Sequence, residues 1–167
     1  MENRKVRILV EGALAASLAL ALSYLRLWRM PQGGSITLEN VPLLIFALRW
    51  GLKAGFGAGA VTGILQLILG GYVVHPAQAL LDYPLAFGAL SLAALWERPP
   101  WGGVLLGSTA RFVCHLLSGV VFFAAYAPEG TNVWLYSAIY NGSFMLPSMV
   151  LSVAAVYLLW PRLKKIE

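Results

Sequence analysis

The sequence predicts an all-α integral membrane protein, a six-transmembrane-helix bundle with N- and C-termini cytoplasmic. Three observations predict it. Only 11% of the 167 residues are charged while 59% are hydrophobic, against about 25% charged in soluble domains. Residues 8–25, 54–74, 102–127 and 133–160 are long and nearly free of charge, each near the ~20 residues that a spanning helix needs. The basic residues gather at the ends of these runs, where they report topology rather than a nucleic-acid-binding stripe.

Taken in order, the helices are expected near 7–25, 37–50, 54–72, 77–96, 102–126 and 133–160, in one membrane domain spanning 1–167. The first follows a basic ENRKVR and is Ala-rich, a pattern that mimics a signal peptide. Its apolar run exceeds the ~7–15 residues of a signal-peptide core, so it is read as a retained span. The second is short, begins near Pro42, and is not expected to span fully. MPQGGS (30–35), WGLKAG (50–55), ERPPWGG (97–103) and APEGTN (127–132) separate the segments, because Pro removes a backbone donor and Gly admits unusual dihedrals. With the N-terminus inside, Arg4, Lys5, Arg7, Arg49, Lys53, Arg98, Arg162, Lys164 and Lys165 face the cytoplasm. Arg26 and Arg29 face outward and Arg111 lies within a helix. That distribution obeys the positive-inside rule.

Depth follows from a rise of about 1.5 Å per residue. Entering from outside, Asp82 lies about 8 Å deep, Asn141 about 12 Å and His115 about 15 Å, with Arg111 one turn further on the face of His115. An ionised carboxylate in an apolar layer is expensive and marks a functional site by default. Tyr72, Tyr83, Phe123, Tyr126, Trp134, Tyr136 and Tyr140 surround this level. An acid, directional hydrogen-bonding groups and aromatic faces together suit a small polar or cationic ligand. Each member also has a plainer reading. Asp82 and Arg111 could form a structural ion pair, and His115, Asn141 and Gln78 could make interhelical hydrogen bonds. Tyr72, Tyr126 and Trp134 could form an interfacial belt.

The first segment carries small residues at i, i+4 spacing in several registers: Gly12/Ala16, Ala13/Ser17/Ala21 and Ala15/Ala19. Such patterns let helices approach closely, inside the bundle or against a partner. Gly55, Gly59 and Gly63 on the third segment are read as internal packing. The single cysteine, Cys114, excludes an intrachain disulfide and a Cys-based metal motif. There is no nucleophile elbow, Walker A motif or dinucleotide fingerprint. No internal repeat appears, which disfavours a transporter built from inverted repeats.

MPQGGSITLENVPLLIFALRWG (30–51), GGYVVHPAQALLDYPLAFG (70–88), ARFVCHLLSGVVFF (110–123) and YSAIYNGSFMLPS (136–148) together resemble the thiamin-specific S components of energy-coupling-factor (ECF) transporters, the ThiT/YuaJ family. The resemblance covers essentially the whole chain, and GGY-x-x-HP-x-Q-x-x-LDYPLAF is its most specific part. It implies high-affinity thiamin binding and uptake by a subunit of the bacterial plasma membrane, with no enzymatic activity and no cofactor of its own. The implied partner is an ECF module of one transmembrane coupling protein and two ATPases. Carried over residue by residue, the resemblance implies ligand contacts from Asp82, Tyr83, Arg111, His115, Tyr136, Asn141, Phe123 and Tyr72. Trp134 is expected among the stacking rings, and Trp28 in the loop covering the site. It also favours Ala15 and Ala19 as the docking face. The alternatives are an S component for riboflavin or biotin, an intramembrane enzyme using Asp82, His115 and Arg111, and a purely structural membrane protein.

Overall fold

The computed structural model describes residues 2–31, 33–96 and 98–163. Lys164 and Lys165, counted above as cytoplasmic charges, lie outside the described residues. Six helices form the bundle: α1 (Glu2–Ser23), α2 (Asn40–Trp50), α3 (Leu52–Ile68), α4 (Pro76–Leu95), α5 (Pro100–Phe122) and α6 (Val133–Leu163). Four of them, from Asn3 in α1 and along the whole of α4, α5 and α6, are long and apolar enough to cross a membrane. Between α1 and α2 the chain makes a hairpin. Its strands β1 (Trp28–Arg29) and β2 (Ser35–Ile36) are antiparallel, with Trp28 opposite Ile36 and Arg29 opposite Ser35.

Helix α2 has 11 residues, about 16 Å of helix, roughly half the hydrocarbon thickness. It survives at that length because it is wrapped in protein: Val41, Leu43, Leu44, Phe46 and Ala47 are all buried. Irregular ends at membrane depth are tolerated where protein covers them. Around α2 the core gathers Ala15 and Ala19 of α1, Phe87, Leu90 and Ala93 of α4, Val104 of α5 and Val156 of α6.

The sequence led us to expect a regular helix over 77–96. Instead α4 changes geometry along its length. Pro76–Leu80 is α-helical, Leu81–Leu85 is π-helical, Ala86–Ala89 returns to α, and Leu90–Leu95 tightens to 3-10. Pro84 is the cause: it has no N–H to give, and its ring crowds the carbonyl one turn back. The ladder slips by one residue, so the Ala86 N–H bonds to the Leu81 carbonyl. Such π-turns occur often at functional sites, and this one carries Asp82 and Tyr83.

Helix α3 fits the widened turn through its glycines. A Cβ on Gly63 would sit 2.5 Å from the Tyr83 carbonyl carbon, and one on Gly55 would lie 2.7 Å from the Ala47 Cβ. The Gly55–Gly59–Gly63 stripe is therefore internal packing, backbone against backbone. We expect Gly63→Ala to lower stability by about 1–3 kcal/mol through overpacking. Gly57→Ala on the exposed side of α3, with nothing within 4 Å, should have little effect. Thermal unfolding in detergent compares the two.

At one end of the bundle the start of α1, the end of α2 and the end of α6 meet. The Trp50 Nε1–H donates to Glu11 at 2.6 Å, and Arg7 and Arg49 approach the same carboxylate at 2.8 and 3.3 Å. Arg49 also donates to the Leu163 carbonyl at 3.4 Å. Both ends of the described chain thus lie on the side that the positive-inside rule makes cytoplasmic. The small residues of α1 divide differently from our expectation. Ala15 and Ala19, read as a partner-facing pair, are 9% and 0% exposed and belong to the core. The register that faces outward is Ala13, Ser17 and Ala21, between the exposed Val10, Leu14 and Leu18. The reason is helical phase: Gly12 and Ala16 pack inward beside Ala15 and Ala19, with Gly12 against the Phe46 ring.

Candidate functional site

The end opposite the Glu11 cluster holds a chamber with about 90 Å³ of internal room. The π-turn of α4 aims Asp82 into it. Helix α5 contributes His115, Ser118 and Phe123 just past its end. Helix α6 contributes Tyr136, Ser137, Tyr140, Asn141 and Phe144. Tyr72 and Tyr126 stand at the rim, and Gly33 and Gly34 of the hairpin close one wall. The hairpin lies on α6 because Tyr140 donates to the Gly33 carbonyl at 3.0 Å. Gly34, at φ +83°, leaves no room for a side chain against the Phe144 ring.

Asp82 is the centre of the polar network. Its Oδ2 accepts from Gln78 Nε2 at 2.7 Å and from Ser118 Oγ at 2.9 Å. Its Oδ1 lies 3.0 Å from His115 Nδ1, but no aligned hydrogen bond reaches it. The Nε2 of His115 is likewise buried without a partner. Asn141 is tied to the His115 carbonyl at 3.3 Å and to the Ser137 carbonyl at 3.0 Å, so its amide nitrogen braces α5 against α6. Apolar and aromatic walls complete the chamber. Tyr72 stacks on Phe123 with centroids 6.1 Å apart, and its hydroxyl meets that of Tyr126 at 3.1 Å.

A second compartment, of about 190 Å³, continues under the hairpin and shares Asp82, His115, Tyr72 and Phe144 with the first. Here stands Arg111, 7% exposed. Its Nη2 donates to Glu39 at 2.9 Å and its Nη1 to the Asn40 side chain. The guanidinium lies 3.8 Å over the Phe87 ring, and Gln66 donates to the other Glu39 oxygen at 3.1 Å. Arg111 is thus paired with Glu39, not with Asp82 as one plain reading of the sequence had it.

Of the residues singled out from sequence, Asp82, His115, Asn141, Tyr136, Tyr72 and Phe123 line the first compartment. Arg111 and Tyr83 line the second. The Tyr83 hydroxyl accepts from the Tyr72 N–H at 2.6 Å. Trp28 and Trp134 line neither and are 64% and 54% exposed. Sequence reasoning missed Ser118, Ser137, Phe144, Glu39 and Asn40. Ser118 sits three residues after His115 and so on its face of α5, a signal that could have found it. Among the described residues no group of three His, Cys, Asp or Glu side chains could hold a metal ion.

Fold and chamber together define a class: a multi-pass helical membrane bundle with a buried acid inside an aromatic-walled chamber. The thiamine transporter protein family (Thia_YuaJ) matches residues 9–167, and the chain belongs to that family. It is 33% identical to the thiamine transporter ThiT of Bacillus subtilis (strain 168), over 98% of this chain and 97% of that protein. It is 35% identical to ThiT of Lacticaseibacillus paracasei, over 93% and 87%. The solved structure of ThiT from Listeria monocytogenes superposes with a TM-score of 0.87 at 28% identity, covering 97% of each chain. The S component of a bacterial ECF transporter shares the fold, with a TM-score of 0.68 at 17% identity over 97% of this chain and 98% of that one.

Glu39 and Arg111 form a largely buried ion pair. Removing one partner of a buried pair costs about 3–5 kcal/mol, because the other charge is stranded. We expect Arg111→Met to destabilise the protein by that order. A further Glu39→Gln change should recover much of the loss, as thermal melts of the single and double variants would read out.

Proposed function

We propose that this protein is the thiamin-binding S component of an ECF-type transporter, a single membrane domain that captures vitamin B1 from outside the cell. The observation that carries the reading is a carboxylate and an imidazole, Asp82 and His115, in the lining of an aromatic chamber, with Asp82 Oδ1 and His115 Nε2 buried and without a hydrogen bond. Buried polar groups in native proteins are paired, so these two are the groups that a ligand would satisfy. Thiamin has the complementary chemistry. Its aminopyrimidine presents N–H donors to a carboxylate, its thiazolium cation is offset by that same charge, and both rings present faces to Tyr72, Tyr136 and Phe123. Energy comes from outside the chain, from a coupling protein and two ATPases. Intramembrane catalysis by Asp82, His115 and Arg111 is the weaker reading, because Arg111 is committed to Glu39 and Asn40.

None of the six tryptophans lines either compartment, so calorimetric titration is the suitable readout. We expect saturable binding of thiamin and none of riboflavin or biotin. A response to either of those vitamins in place of thiamin would keep the transporter and reassign its cargo. Asp82→Ala should weaken thiamin binding at least 10- to 100-fold, the loss of a hydrogen bond to a charged group. Equal binding by that variant would remove Asp82 from the site.

The coupling protein is expected to dock on the outward register of α1. Replacing Ala13 and Ser17 with Leu should abolish vesicle uptake with the partner module while thiamin binding persists. Unchanged uptake would move the docking face elsewhere.

A further inference from the structure

The side chain of Gln78, one turn before Asp82, is 1% exposed and fully engaged. Its Nε2 donates to Asp82 Oδ2 at 2.7 Å and to the Tyr72 carbonyl at 3.1 Å, and its Oε1 accepts from the Val74 N–H at 3.0 Å. A backbone carbonyl only accepts and a backbone N–H only donates. The amide is therefore fixed in one orientation, with its nitrogen toward the acid. Both N–H groups are spent, and Ser118 places a second donor on the same Asp82 oxygen. Oδ2 already accepts twice, and Oδ1, 3.0 Å from His115, is the oxygen left without a hydrogen bond on a side chain that lines the chamber.

We propose that Gln78 is a specificity-determining positioning residue: it fixes Asp82 with Oδ1 presented as a hydrogen-bond acceptor, and so selects ligands whose facing edge is an N–H donor. This rests on the thiamin reading and sharpens it. The 4-amino group of thiamin's pyrimidine meets an acceptor. The 4-oxo analogue sets oxygen against oxygen, and a site built for one pattern rejects the other strongly. Replacing Gln78 by Glu keeps the size but turns a donor into an acceptor. Two carboxyl groups at that distance must share a proton. That proton lies on the Oδ2 side, so Oδ1 stays an acceptor but a weaker one, and the advantage of the amino edge over the oxo edge shrinks.

The test is calorimetric binding of thiamin and of its 4-oxo analogue to the intact protein and to Gln78→Glu. The parent is expected to prefer thiamin. Gln78→Glu should lose thiamin affinity on the order of 10- to 100-fold and narrow the preference over the 4-oxo analogue. If both ligands weaken by the same factor, or neither changes, Gln78 is merely structural and the proposal falls. If the parent binds no thiamin at all, the functional reading itself falls. Should Gln78→Glu fail to fold, Gln78→Met keeps the length of the side chain and removes its donors from Asp82 and the Tyr72 carbonyl. A narrowed preference in that variant supports the proposal, and an unchanged one overturns it.

Discussion

A carboxylate inside an apolar bundle must be surrounded by donors, and Asp82 makes that demand of two helices at once. Gln78 comes from one turn earlier in α4, where the helix is still α-helical. Ser118 and His115 come from α5. The α4 backbone widens into a π-turn where Asp82 stands, and Pro84 holds the register there by withholding an N–H. A widened turn needs space beside it, and α3 supplies the space with glycine at the contact. Local backbone, helix packing and site chemistry are therefore one constraint. The acid is placed by a turn that only a glycine-lined neighbour can accommodate.

The chamber contains a second charge system that behaves differently. Arg111 is bound by Glu39, Asn40 and the face of Phe87, and Glu39 is held further by Gln66. These residues come from the approach to α2, from α2 itself, and from α3, α4 and α5. The pair thus fixes where the hairpin joins the bundle. Buried ion pairs add little net stability but cost much when one member is lost. The contrast with Asp82 and His115 is informative. Arg111 spends both terminal nitrogens on its neighbours, while Asp82 Oδ1 and His115 Nε2, in side chains that line both compartments, carry no hydrogen bond.

Charge-free runs and basic ends were enough to read the helical membrane class, because the bilayer imposes length and polarity directly on the sequence. One-dimensional depth arithmetic also put Asp82, His115 and Asn141 at one level, since helices climb at a constant rate. It could not pair Arg111 with Glu39. The two lie 72 residues apart, and Glu39 precedes a helix in a segment with no periodicity to fix its direction. Nor could it choose among the small-residue registers of α1. Ala13, Ala15, Ser17 and Ala19 are alike in composition, and only the phase set by Gly12 against Phe46 decides which of them turn outward. The broken geometry of α4 was implicit in Pro84 but not its form, because a proline inside a helix can kink, bulge or end it.

That phase has a functional consequence. Most of α1 stands outside the core: only 17% of its most apolar window is buried. Its inner face is secured by Gly12, Ala15, Ala16 and Ala19, and its cytoplasmic end is anchored through Glu11 to Trp50 and Arg49. From α1 only Ser23, the last residue of the helix, reaches either compartment of the chamber. A partner lying along Ala13 and Ser17 would therefore touch none of the groups that line the ligand chamber. A docking surface there would be separate from the chamber, although the end of α1 runs on into the hairpin. A rigid-body movement of α1 could reach the chamber through its packing on α2 and α3 and through that hairpin, which is held to α6 in part by the Tyr140–Gly33 hydrogen bond and the close fit of Gly34 on Phe144.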